Sequence, residues 1–138
     1  MKKTLSIILI LIIAMSVFVA CGEDEVTPGE AEIFWENATY KEDATVGTGE
    51  KTVTVTFEAL GKVVKLTVKT DAENLGAALY ENGLLNDPSF FNIANGMVAD
   101  WDKDRAYWAF YIGNDMAPYG VDSELIENGK SYRIVYTK

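Results

Sequence analysis

The chain has 138 residues, a formal net charge of −9 and no histidine. Without imidazole, neither a Ser–His–Asp nor a Cys–His catalytic arrangement can be built, and the commonest metal ligand is missing. The single cysteine excludes an intrachain disulfide. The acidic balance also argues against a nucleic-acid partner, because an acidic surface repels phosphate backbones.

Residues 1–20 predict a secretory signal peptide. Lys2 and Lys3 precede the apolar run LSIILILIIAMSVFVA, which is the order of a basic n-region and an apolar h-region. Cys21 follows Ala20, and the sequence FVACG resembles a bacterial lipobox. Diacyl and N-acyl chains on Cys21 would together hold the protein at the extracytoplasmic face of the cell membrane, whereas a single acyl chain binds only marginally. The alternative is an ordinary signal peptide with an incidental cysteine.

Residues 21–50 are predicted to form an acidic tether that docks in part on the domain. GEDEVTPGE and KEDATVGTGE are acidic and are interrupted by proline and glycine. Between them, AEIFWENATY is too apolar for a linker, with Ile33, Phe34, Trp35 and Tyr40. We expect these residues to dock on the domain or to add an edge strand, because exposed apolar patches are uncommon. The alternative is that they face the membrane or a partner.

Residues 51–138 are predicted to form the domain, which begins with a hairpin and a helix. KTVTVTFEA and VVKLTVKT each alternate apolar and polar residues, and a turn at residues 60–62 joins them. Thr70 and Glu73 fit a capping box for a helix of about three turns. The helix has an apolar stripe at Leu75, Ala78 and Leu79, and Gly83 is placed for its left-handed C-cap.

The second half of the domain is predicted to consist of strands. MVADW follows Gly96, AYWAFYI follows a turn at residues 102–105, and SYRIVYTK follows the turn ENGK. A hairpin, one helix and further strands is the order of a β-grasp fold. We therefore predict an α+β, β-grasp-like mixed sheet with one helix packed on one face. The other face of the sheet must be exposed to solvent or bind a ligand or a partner.

Four short motifs follow one another in this region: GMVAD at 96–100, YWAFYIG at 107–113, GVD at 120–122 and ENG at 127–129. With Tyr136, their order and spacing resemble the transcobalamin-like C-terminal domain of bacterial surface proteins, although the usual Asn-Gly after the aromatic strand is Gly113-Asn114 here. The resemblance implies a β-grasp-like domain, often anchored at a bacterial surface. In vertebrate relatives this domain covers one side of a corrinoid, so the resemblance also implies a corrinoid such as cobalamin as a candidate ligand.

The aromatic strand carries rings on both of its faces. Trp108, Phe110 and Ile112 form the more apolar set and are predicted to face the core. Tyr107 and Tyr111 alternate with small residues on the other face, which leaves flat, amphipathic surfaces with open space beside them. The predicted ligand-binding residues are Trp101, Tyr107, Tyr111, Met116 and Tyr119. The alternative is that the two tyrosines are only cross-strand packing partners.

Metal binding and catalysis receive little support from the residues. DWDKD at 100–104 resembles the start of a calcium loop, but Arg105 and Tyr111 occupy the positions that need glycine and a bidentate acid. The sequence therefore predicts a solvated turn there and no metal site. Paired carboxylates for glycoside hydrolysis need a deep cleft, and a domain with one helix offers none. We expect a protein that is not an enzyme.

Two functions remain open from the sequence. The first is a membrane-anchored module that binds a small flat ligand, with a corrinoid as the candidate, on the aromatic sheet face. The second is a cell-surface module that recognises another protein through that face or through a free sheet edge.

Overall fold

The computed structural model describes residues 29–138. The predicted signal peptide and Cys21 lie outside the described residues, so signal cleavage and lipidation stay predictions. Within residues 29–138, no helix combines the length and the apolar character that crossing a bilayer requires.

The described chain contains three short helices and eight strands. The helices are α1 (Glu30–Glu36), α2 (Leu75–Glu81) and α3 (Trp101–Asp104), with a 3₁₀ turn at Val121–Ser123. The strands are β1 (Ala44–Gly47), β2 (Lys51–Ala59), β3 (Lys62–Thr70), β4 (Ile93–Ala94), β5 (Met97–Val98), β6 (Tyr107–Ile112), β7 (Asp115–Met116) and β8 (Ser131–Thr137).

Six of these strands form one mixed sheet in the order β1-β3-β2-β8-β6-β7. The pairs β1–β3 and β2–β8 are parallel, and the pairs β2–β3, β6–β8 and β6–β7 are antiparallel. Strands β4 and β5 form a separate two-stranded hairpin. The prediction of an α+β fold with a mixed sheet is confirmed.

The first hairpin has the register that its alternation predicts. Val55 lies opposite Leu66, and every second residue along both strands is buried. Leu60 and Gly61 connect the strands with φ angles of 49° and 82°. Two successive residues with positive φ match the type I′ turn, whose twist suits a two-residue hairpin.

The core lies on one face of the sheet, which we call the covered face. Its side chains come from the four longest strands and are at most 8 % exposed: Val53, Val55, Phe57, Val64, Leu66, Val68, Trp108, Phe110, Tyr132 and Ile134. Leu75, Ala78 and Leu79 of α2 are fully buried against this core. The predicted apolar stripe of α2 is therefore confirmed.

Helix α2 begins later than the capping box predicts, and this prediction is wrong. Thr70 is the last residue of β3, where its pairing with Lys51 keeps it extended. Its hydroxyl accepts a hydrogen bond from the backbone N–H of Ala72 instead. Asn74 is the N-cap, and its side-chain oxygen accepts from the N–H of Ala77 at 2.8 Å. The helix accordingly has about two turns rather than three.

The end of α2 confirms the predicted glycine cap. Gly83 has a φ of 70°, and its N–H donates to the carbonyl of Tyr80. The N–H of Leu84 donates to the carbonyl of Leu79 at 2.9 Å. These two bonds form a Schellman motif, which satisfies carbonyls that the helix end would otherwise leave unpaired.

Residues 29–50 contribute a helix and a strand to the folded unit. Trp35 of α1 is 5 % exposed and donates from Nε1 to the carbonyl oxygen of Ala59 at 2.9 Å. The ring of Phe34 packs on Tyr136, with centroids 4.7 Å apart. Docking of these residues thus occurs through a helix, while the edge strand is β1. Two helices, rather than the predicted one, pack on the covered face, because α1 brings its own apolar side chains to it.

The chain between α2 and β6 is less extended than predicted. Only Met97 and Val98 of MVADW form a strand. The carboxylate of Asp100 accepts from the N–H of Lys103 and caps the one-turn helix α3. Arg105 ends that helix with a φ of 53°. The predicted solvated turn is therefore a capped helical turn, because a local carboxylate satisfies one of its free N–H groups.

Candidate functional site

The face of the sheet opposite the core, which we call the open face, holds the predicted tyrosines. Strand pairing places one row of its side chains across five strands in the order Met116, Tyr111, Arg133, Thr56 and Lys65. Since successive side chains of a strand point to opposite faces, Tyr107 lies on the open face as well. Trp108 and Phe110 point into the core. The predicted division of the aromatic strand into two faces is confirmed.

Four of the five predicted ligand-binding residues lie along β6 as two pairs, which we call the aromatic patch. Trp101 packs edge-on against Tyr107, with ring centroids 6.3 Å apart. Met116 lies opposite Tyr111 across the β6–β7 hairpin. Trp101 is 55 % exposed, Tyr107 42 % and Met116 56 %. Tyr107 and Tyr111 are four residues apart on β6, which places their Cα atoms about 13 Å apart.

Each pair of the aromatic patch includes a ring that carries an arginine, a feature that sequence reasoning missed. The guanidinium carbon of Arg133 lies 4.9 Å from the ring centroid of Tyr111, and that of Arg105 lies 5.4 Å from Trp101. Both distances fall within the range of cation–π contacts. Glu58 accepts two hydrogen bonds from Arg133 and raises the pKa of that guanidinium. Each pair of the aromatic patch therefore has a guanidinium over one of its rings, and Glu58 holds that of Arg133 in place.

The space between the two tyrosines differs from the prediction. Ala109 lies between Tyr107 and Tyr111 on the open face, yet it is only 3 % exposed. Its methyl group is therefore covered by neighbouring side chains and leaves no slot between the rings. A ligand on this face would lie across the rings and not between them.

Tyr119 is held apart from the patch. Its hydroxyl donates to Oε1 of Glu124 at 2.8 Å. The Oε2 atom of Glu124 accepts from the hydroxyl of Tyr132 at 2.7 Å and from Nζ of Lys130 at 3.0 Å. Tyr132 belongs to the covered face, so Tyr119 is tied to the core side of the sheet. The structure does not bring it together with Met116 over the tyrosines.

Glu124 is a buried carboxylate, with 2 % of the residue exposed. Burial by itself would raise the pKa of Glu124, but the hydrogen bonds from Tyr132, Tyr119 and Lys130 outweigh it and lower that pKa. Burial, followed by the bond to Glu124, raises the pKa of Tyr132. The backbone carbonyl of Glu124 also accepts from the N–H of Leu75 at the start of α2. The side chain of Glu124 therefore links the connection between β7 and β8 to the sheet, and the backbone of Glu124 links the same connection to α2.

A groove of about 450 Å³ lies beside α1, and none of the predicted site residues lines it. We call it the α1 groove, and its apolar lining is Ile33, Phe34, Leu60, Val98 and Tyr136. Glu30, Asp104 and Lys138 stand among its polar residues, with Nζ of Lys138 3.4 Å from a carboxylate oxygen of Glu30. The apolar segment AEIFWENATY indicates this region in the sequence. It does not show that Phe34 and Trp35 dock while Ile33 stays exposed.

Residues 29–138 contain no group of three or more acidic, cysteine or histidine side chains arranged to hold a metal ion. The acidic residues of DWDKD have local roles instead, since Asp100 caps α3 and Asp104 lines the α1 groove.

Sequence comparison finds no matching protein family and no matching curated protein. Comparison with solved structures finds similar chains. A proposed metal-binding protein from Ruminococcus gnavus ATCC 29149 matches with a TM-score of 0.60 and 22 % identity, over 64 % of this chain and 98 % of that protein. Haptocorrin in complex with Cbi matches with a TM-score of 0.46 and 15 % identity, over 67 % of this chain. The match covers 27 % of haptocorrin. The first likeness shows that the fold is shared.

Proposed function

We propose that the protein is a lipid-anchored, extracytoplasmic binding module, without enzymatic activity, whose open face holds a large flat ligand. The observation that carries this proposal is the exposure of Trp101, Tyr107 and Met116 beside Tyr111 on the sheet face opposite the core. Exposed rings and thioethers that lie together are uncommon unless they serve an interaction. The arginines on two of the rings add donors for polar groups at a ligand's edge.

A corrinoid is the specific ligand that we propose. The support is the resemblance of motifs 96–100, 107–113, 120–122 and 127–129 to the transcobalamin-like domain, together with the length of the aromatic patch. A ligand in contact with both aromatic pairs bridges two positions whose Cα atoms are about 13 Å apart along β6, which favours a large macrocycle over a small metabolite. The metal binding suggested for the Ruminococcus gnavus protein is not carried over, because the described residues hold no suitable ligand cluster.

The proposal predicts that the double substitution Tyr107→Ala, Tyr111→Ala weakens cobinamide or cobalamin binding roughly 5- to 100-fold, since each ring contact contributes roughly 0.5–1.5 kcal/mol. Isothermal titration calorimetry on the chain from Cys21 onward measures this directly. Each single variant should lose part of the affinity, because the two rings belong to different pairs of the patch.

Tyr80→Ala is the matched control for these variants. Tyr80 is also an exposed tyrosine, at 52 %, but it lies on α2 and thus on the covered side of the sheet. Its substitution should leave the affinity unchanged. Equal losses in Tyr80→Ala and in the double variant would contradict a site on the open face. Binding of neither corrinoid would contradict the proposed ligand and leave a protein partner, to be sought by crosslinking at the same tyrosines.

A further inference from the structure

We propose that the α1 groove rests on the lipid bilayer, so that the protein contacts the membrane through its own surface in addition to the anchor. The proposal rests on the proposed attachment at Cys21. It concerns Ile33 and Val98, which are 67 % and 47 % exposed. Both line the α1 groove, so two of the four exposed large aliphatic side chains in the described part of the chain share one surface.

The chain before the groove fixes the distance to the membrane. Gly29 is one of the groove's lining residues. Only residues 22–28 separate it from Cys21, and eight peptide steps reach at most about 28 Å when fully extended. An acyl anchor at Cys21 would therefore keep the α1 groove close to the bilayer. Surfaces of the protein farther from Gly29 would be less confined. Proximity makes even a weak apolar contact effective, because the effective concentration of the surface is high.

The large apolar side chains of α1 divide into two that pack on the domain and one that is exposed and free to contact a surface. Trp35 and Phe34 are used in packing against Ala59 and Tyr136. Ile33 has no such role and faces out. Aliphatic side chains in an interfacial layer bury their surface in the boundary between headgroups and acyl chains. A bilayer would thus cover the apolar surface that folding leaves exposed at this end of the molecule.

The charge of the chain sets which bilayer suits the contact. Removal of residues 1–20 takes two of the twelve basic residues and no acid, so ten basic and 21 acidic residues remain, a net charge of −11. Anionic lipids would repel this surface at low ionic strength, and salt would relieve the repulsion. The contact therefore depends on apolar burial and is strongest on a zwitterionic bilayer.

The single cysteine allows a test that does not depend on cellular lipidation. The chain from Cys21 onward is coupled through that thiol to a maleimide lipid in phosphatidylcholine vesicles. Trp101→Phe removes the exposed tryptophan, since Trp35 and Trp108 are at most 7 % exposed. Ile33→Trp then reports on the α1 groove through quenching by brominated phosphatidylcholine. Leu125→Trp is the matched control, because Leu125 is 69 % exposed and does not line the groove.

Strong quenching in Ile33→Trp and little in Leu125→Trp supports the contact. In that background Val98→Ser should shift the docked-to-undocked ratio by about tenfold, since an exposed aliphatic side chain no longer gains from burial. Equal quenching at the two positions, or none at either, overturns the proposal. Self-association of the uncoupled chain that Ile33→Ser abolishes also overturns it, because the groove would then hold a second copy. Mass spectrometry of the native N-terminus tests lipidation separately.

Discussion

Glu124→Ala is expected to lower the free energy of unfolding by about 1–3 kcal/mol, because it leaves a buried hydrogen-bond donor without its acceptor. The hydroxyl of Tyr132, which is fully buried, would lose its acceptor at 2.7 Å. Tyr119 and Lys130 would lose theirs as well. Chemical denaturation of the chain from Cys21 onward, followed by circular dichroism, measures the change.

The same carboxylate should make stability fall in acid. Its folded-state pKa is lowered, because hydrogen bonds from Tyr132, Tyr119 and Lys130 outweigh the opposing effect of burial. A lowered pKa contributes stability above the ordinary glutamate pKa of about 4.3, and that contribution is lost as the pH falls through the lowered value. The unfolding free energy of Glu124→Gln should consequently depend less on pH below about 4.3 than that of the unsubstituted protein.

Glu58→Ala is the control for Glu124→Ala. Glu58 also pairs with a cation, Arg133, but the two side chains are 26 % and 34 % exposed. An ion pair this exposed contributes only about 0–1 kcal/mol. Equal destabilisation by the two substitutions would contradict the role assigned to the buried carboxylate.

Trp35→Ala is expected to cost about 3–5 kcal/mol, the range for truncating a large buried aromatic side chain. The ring is 5 % exposed, and its N–H donates to the carbonyl of Ala59 at the end of β2. The substitution removes the buried ring and its hydrogen bond to Ala59 together. Urea denaturation should show one cooperative transition that moves to lower urea concentration, because α1 belongs to the same folded unit as the sheet.

Ile33→Ala, two residues away on the same helix, provides the comparison for Trp35→Ala. Ile33 is 67 % exposed, so its truncation should change the free energy of unfolding by less than about 0.5 kcal/mol. A change of less than about 1 kcal/mol for Trp35→Ala would mean that α1 is not an integral part of the fold.

Much of the sheet could be predicted because its strands alternate clearly. KTVTVTFEA places Val53, Val55 and Phe57 on one face, and a one-residue shift would have exposed all of them. The aromatic strand is separable into its two faces for the same reason. Gly83 is predictable because few residues other than glycine tolerate a left-handed C-cap.

The helix boundaries were harder to predict, because local signals compete with pairing across the sheet. Thr70 has a suitable side chain for an N-cap, but its pairing with Lys51 keeps it in β3. Asn74 then takes the cap four residues later. Nothing in the local sequence ranks these two residues, since the outcome depends on how far the β2–β3 ladder extends.

The candidate site was only half predictable, because some of its members meet through register and not through spacing. Tyr107 and Tyr111 lie on one strand, so their common face follows from alternation. Arg133 lies 22 positions after Tyr111 and reaches it only through the β6–β8 pairing. Tyr119 is near Met116 in the sequence, but Glu124, a buried acid in an aperiodic connection, draws it to the core side.

The most direct test of a ligand site on the open face is a map of backbone amide shifts during titration with cobinamide. We predict the largest shifts at Tyr107, Tyr111 and Met116, which belong to the two pairs, and at Arg133, which lies over the ring of Tyr111. Shifts confined to α2 or to the α1 groove would contradict this account, and so would unchanged spectra at saturating cobinamide.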